Sequence, residues 1–139
     1  MAGREKIVID ASVVTKWYSE EEKTDKAVQY KNRHVKGEVE VTAPALLLYE
    51  VANALNYKPD FTEEDVKDAI NALIDLSLSI EQPTKEIMEK TVFIARRYNI
   101  SIYEASYIAL AEILNVTLVT ADEKLREKVK GHPLVLLLE

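Results

Sequence analysis

Short apolar runs set between helix-patterned stretches constrain this chain more than any other feature. KIVID (6–10), VTLVTA (116–121) and PLVLLL (133–138) are apolar almost throughout, and EVEVTA (38–43) alternates as a strand does. SIEQP (79–83) reads as a short strand or a turn. Between these runs lie helical patterns. In TDKAVQYKNRHVKG, Val28 and Val35 share a face and Gly37 ends the segment. Pro44 suits the first turn of a helix continued by ALLLYEVANALNY. Thr62 caps EEDVKDAINALIDLSL, with Val66, Ala69, Ile70, Leu73 and Ile74 on one stripe. Thr84 opens KEIMEKTVFIARRYN, Ser101 opens IYEASYIALAEILN, and Asp122 opens EKLREKVKG. A strand covered on both faces has no water-facing side and so loses its alternation. The expected fold is therefore α/β, with a central, mostly parallel sheet of about four to five strands flanked by helices on both faces. The 139 residues suit one domain, 1–139.

Composition removes several functional classes. Cys is absent, which excludes disulfides and thiolate metal sites and fits a cytoplasmic protein. With only His34 and His132, any metal would be held mainly by carboxylates, which favours Mg²⁺ or Mn²⁺. Gly3, Gly37 and Gly131 are too far apart for a phosphate-cradling loop or a dinucleotide fingerprint. No apolar run reaches the ~18 residues of a membrane span, and the apolar part of MAGREKIVID is too short for a signal peptide. The net charge of −6 provides no general attraction for nucleic acid. Binding RNA would require a local basic patch or bridging cations.

In open parallel sheets the functional crevice lies outside the carboxyl ends of the strands. Asp10 follows KIVI and Asp122 follows TLVTA, so both belong at such ends. Each also reads as a helix N-cap. Glu50 sits mid-helix among Leu47, Leu48, Val51 and Ala54. It either faces water or, if buried, needs a cation or hydrogen-bond donors. Glu104 completes Ser101-x-x-Glu104, a capping box that accounts for it structurally. If these carboxylates converge they repel one another unless a divalent cation lies between them. Such a cation can position water against a phosphodiester.

VIDASVVTKWY, APALLLYEVANAL, SIYEASYIALA and LVTADEKL, in this order, resemble a PIN domain of the VapC toxin type, from about residue 7 to the end. The resemblance implies a compact α/β fold, an Mg²⁺- or Mn²⁺-dependent endoribonuclease, a homodimer, and a small antitoxin partner encoded beside the toxin. Carried over, Asp10, Glu50, Glu104 and Asp122 are the acidic catalytic and metal-holding positions. Ser12, Asn53 and Thr120 are the supporting polar ones. The departure is Glu104, where the family usually has Asp; the added methylene carries the carboxylate further from the helix.

Other residues read as structural. Trp17 and Tyr18 suit a core more than a base-stacking platform. Tyr103 and Tyr107, one helical turn apart, are expected to pack together. His34 and His132 are expected at the surface. YKNRHVKG and KVKGH are basic and read as solvated faces or phosphate contacts. Two alternatives belong to other classes. One is a non-catalytic PIN scaffold, against which the presence of all four acids argues. The other is an Asp10-based phosphotransfer or phosphatase domain. A dehalogenase-type phosphatase would want Asp where Ser12 stands, and a receiver domain would want an acidic pair at the first strand end.

Overall fold

A computed structural model describes residues 4–139. Five strands, β1 Glu5–Ile9, β2 Val39–Pro44, β3 Ser79–Glu81, β4 Leu118–Thr120 and β5 Val135–Leu137, form one sheet in the order β3-β2-β1-β4-β5. Every neighbouring pair is parallel. Seven helices flank it among the described residues: α1 Ala11–Val14, α2 Thr24–Val35, α3 Leu46–Asn56, α4 Glu63–Asp75, α5 Lys85–Tyr98, α6 Ile102–Leu114 and α7 Glu123–Lys128. A 3₁₀ turn, Thr15–Trp17, extends α1. Val8 and Ile9 point to opposite sides of β1 and neither reaches solvent. Both faces of the central strand are thus covered, which is why KIVI lacks alternation.

Topology places the site. From β1 the chain adds β2 and β3 on one side, then returns to add β4 and β5 on the other. The order therefore reverses between β1 and β4, and the crevice at such a switch point opens at the strands' carboxyl ends. Asp10 and Asp122 follow those two strands. α6 packs against α5 and against β1, β2 and β4. Seven consecutive residues, Ala105 to Ala111, are buried in it, so its amphipathicity is lost and its small alanines allow close approach. A buried helix presents only its ends to solvent, and the N-terminal end of α6 carries Glu104.

Several local expectations are corrected. Pro44 does not start a helix: it is the last residue of β2, opposite Glu81, and α3 begins at Leu46. The Ala45 N–H makes the next bond, to Glu81 O at 3.1 Å. Of the α4 stripe, Leu73 is buried but Ile74 is exposed. Both histidines are interior. His34 Nδ1 accepts from Val41 N–H (3.1 Å) while Nε2 meets Leu76 O (2.8 Å), which fixes the Nε2–H tautomer and ties α2 to β2 and to the end of α4. His132 Nδ1 accepts from Leu134 N–H (3.2 Å) and Nε2 meets Glu112 (2.8 Å). Tyr103 and Tyr107 do not share an environment: the first is 64% exposed, the second 3%. Trp17 is core, its indole N–H donating to Ala27 O at 2.7 Å.

Candidate active site

Asp10 is the N-cap of α1, its extended backbone (φ −91°, ψ 176°) turning the side chain back over the helix start. Its Oδ1 accepts from Ser12 N–H at 3.1 Å and from Ser12 Oγ at 2.5 Å. Its Oδ2 accepts from Thr120 Oγ1 at 2.6 Å. Ser12 Oγ in turn accepts the Ala121 N–H (2.8 Å), and Thr120 Oγ1 accepts the Asp122 N–H (3.1 Å). Each hydroxyl has one proton and both protons go to Asp10, so the 3.3 Å approach of Ser12 to Thr120 is not itself a hydrogen bond. This mesh joins the ends of β1 and β4. Burial nevertheless pushes the Asp10 carboxyl up to about 6, outweighing the hydroxyls that favour its charged form.

The other acids come from three further elements. Asp122 caps α7, its Oδ1 accepting from Leu125 N–H at 3.0 Å. Glu50, on α3, accepts from the Tyr107 hydroxyl at 2.5 Å. Its carboxyl is raised by burial, against the Tyr107 hydrogen bond and with a further push from the Glu104 charge. Tyr107 is itself raised far above the usual phenol range by burial and then by Glu50, so it remains a hydroxyl and a donor. Glu104 closes the expected capping box: its N–H reaches Ser101 Oγ at 3.0 Å and its Oε1 accepts from Ser101 N–H at 3.1 Å. Asp10, Glu50, Glu104 and Asp122 all line one cavity of about 110 Å³, with Ser12 and Tyr107.

This donor set is all carboxylate oxygen, which fits a hard divalent cation. Burial raises Asp10 and Glu50, and a cation bound beside them would favour their charged forms. Among the described residues no three acidic or histidine side chains are arranged to encircle one ion. Each of the three acids other than Asp10 is held through one oxygen, Glu104 by Ser101, Glu50 by Tyr107 and Asp122 by Leu125, which leaves its second oxygen for a ligand.

The PIN domain pattern matches residues 7–131. Ribonuclease VapC3 of Pyrobaculum aerophilum is 32% identical, over 88% of this chain and 94% of that protein. The chain belongs to the PIN domain family. Two solved structures share the PIN fold with it. A toxin–antitoxin complex from Klebsiella pneumoniae superposes with a TM-score of 0.70 at 16% identity, over 94% of this chain and 95% of the other. Mycobacterium tuberculosis VapC20, a sarcin-ricin loop cleaving toxin, gives 0.67 at 17% identity, over 87% and 93%.

Within this PIN domain the expected residues divide. Asp10, Ser12, Glu50, Glu104 and Asp122 meet at the cavity, and Thr120 lies buried beneath Asp10. Asn53 does not line it; it is exposed in an adjoining groove of about 500 Å³. Sequence reasoning missed Tyr107 as the partner of Glu50. Its signal was its place three residues after Glu104, which puts both on one helix face. Lys16, Glu21 and Lys58, which line the adjoining groove, were also missed. They come from two loops and a 3₁₀ turn, and no local pattern links them.

Proposed function

We propose that this PIN domain, with residues 1–139 acting as one unit, is a divalent-metal-dependent endoribonuclease and the toxin of a VapBC-type toxin–antitoxin pair. The observation that carries the reading is the convergence of four carboxylates from four elements on one cavity at the β1/β4 switch point. The ribonuclease relative and the toxin–antitoxin neighbour support it. Asp10, Glu50, Glu104 and Asp122 would hold Mg²⁺ or Mn²⁺, which when bound supplies an activated water and charge stabilisation at the scissile phosphate. The chain's own part is preorganisation. Ser12 and Thr120 fix both oxygens of Asp10 and lock the β1 and β4 ends together. Tyr107 aims Glu50, and Ser101 restrains Glu104 at the rim.

A cytoplasmic location, an antitoxin partner and a homodimer are parts of the same proposal. No helix among the described residues is long and apolar enough to cross a membrane. Exposed Tyr49, Met88, Ile102 and Tyr103 surround an apolar groove of about 410 Å³, a face that a second copy would bury. The deciding experiment is cleavage of single-stranded RNA with Mn²⁺ or Mg²⁺ and an EDTA control. Cleavage that EDTA abolishes is expected, and a purified, folded chain that leaves RNA intact at millimolar Mn²⁺ would sink the reading. The same ions should raise the melting temperature, corresponding to about 2.7 kcal/mol at ~100 times Kd. Light scattering at micromolar concentration checks the dimer, and a monomer overturns that part.

A further inference from the structure

We propose that Lys16 and Lys58 form a clamp for one phosphodiester of the RNA strand, and that Glu21 occupies the clamp until the RNA displaces it. The inference rests on the ribonuclease reading and adds how a chain of net charge −6 holds a polyanion.

The groove beside the acidic cavity shares Ala11, Ser12 and Glu50 with it, so a strand lying in one passes directly into the other. The acids alone would repel every phosphate that approached. Lys16 and Lys58 are the cations lining this groove. A single carboxylate bridges them: Glu21 Oε1 lies 3.6 Å from Lys16 Nζ, and Oε2 lies 3.0 Å from Lys58 Nζ. Lys16 is further held by its hydrogen bond to Glu22 O at 2.7 Å, with only 12% of its side chain exposed. Two ammonium groups spanned by one two-oxygen anion form a receptor for another two-oxygen anion. The non-bridging oxygens of a phosphodiester have that charge and that shape. The amines are preorganised and partly shielded from salt, so exchanging carboxylate for phosphate requires little rearrangement.

A purely structural triad would pin the loop before α2 to the loop after α3 and do nothing else. The signs of the variants separate the two roles. Lys16→Met and Lys58→Met should each raise KM for a short single-stranded RNA about tenfold, the effect of removing one charge-assisted hydrogen bond. kcat should stay within about twofold, as expected when ground state and transition state are weakened equally. Each should also flatten the dependence of log binding on log salt, by about 0.7 for every phosphate no longer neutralised. Glu21→Gln should do the opposite and lower KM, because the competing anion is gone. Lys58→Arg should retain tight binding. Fluorescence anisotropy of the same RNA oligonucleotide, with each variant's melting temperature recorded alongside, reads the clamp without cleavage. If wild type binds RNA through the lysines but never cuts it, the clamp stands and the nuclease reading falls. Lysine variants with wild-type affinity and salt slope, or a Glu21→Gln variant that binds more weakly, overturn the clamp.

Discussion

The two aspartates and the two glutamates reach the same cavity by different routes. Asp10 and Asp122 end adjacent parallel strands, so the ladder between β1 and β4 sets their separation. Asp10 is also gripped on both oxygens by hydroxyls from either strand end. Glu50 and Glu104 project from helices, half-buried, and each is held by a single neighbour, Tyr107 or the Ser101 backbone. Asp10, the most tightly gripped of the four, is held rigidly at an electrostatic cost; the two glutamates are adjustable. Strand ends therefore supply the fixed reference of the site, and helix residues supply the part that can move toward a ligand.

Asp10→Asn should break the fixed side most completely. RNA cleavage should fall below detection while metal-free stability at pH 7 rises, by up to about 3 kcal/mol, since the amide carries no buried charge. Paired cleavage assays and denaturant titrations check both halves, and a fully active variant breaks the comparison. Glu104→Gln tests the movable side. The amide can still accept from Ser101 N–H, so stability should change by less than about 1 kcal/mol. Activity should fall by about 100-fold or more, beyond the ~10–100-fold usual for groups that only support a ligand. Glu104→Asp should stay active and folded. The α4 box shows why: Asp65 accepts from Thr62 N–H at 2.9 Å, so the shorter acid closes the same motif. Near-normal cleavage by Glu104→Gln at low Mn²⁺ would reduce Glu104 to a cap.

Tyr107→Phe removes the donor that aims Glu50 and leaves the charge. A loss of about tenfold in kcat is expected, with about 1 kcal/mol of stability. A kinetically silent variant would mean that Glu50 is positioned without its partner. The last effect is on the pH dependence of stability. The folded Asp10 carboxyl titrates at about 6, above its ordinary 3.8. It favours the folded state when protonated, and that contribution is lost as pH rises through about 6. Without metal, stability should therefore decline between about pH 4 and 6 more steeply in wild type than in Asp10→Asn. Parallel slopes in the two proteins would remove the buried charge from the account.

The same division explains what is legible in the sequence. Continuous apolar runs announce buried parallel strands, and an acid at the end of such a run needs no further information to be placed. Glu104 is visible through its capping box, which describes what the residue does in the absence of a ligand. Glu50 is legible as a residue needing a partner, yet Tyr107 lies 57 residues away and only helix packing brings them together. His34 looks superficial because polar residues precede it in the chain, and His132 because it sits between a glycine and a proline after a basic stretch. Their burial comes from packing that the local pattern does not record, such as His34 against Leu76, 42 residues on. Tyr103 and Tyr107 mislead for the opposite reason. Their spacing suggests a pair, but α6 is buried around so much of its circumference that one ring faces the cavity and the other faces water.

The bond from Thr120 to Asp10 spans 110 positions of the chain, and it has a consequence during synthesis. Asp10 and Glu50 leave the ribosome early, Glu104 and Asp122 late, and β1 gains its second neighbour only when β4 emerges. Until then the growing polypeptide has half of its acids, an unpaired edge on an apolar strand, and no hydroxyl from Thr120 to steady Asp10. Strand order thus works as a timer: the nascent chain keeps an open strand edge, in need of shelter from aggregation, until β4 has been made.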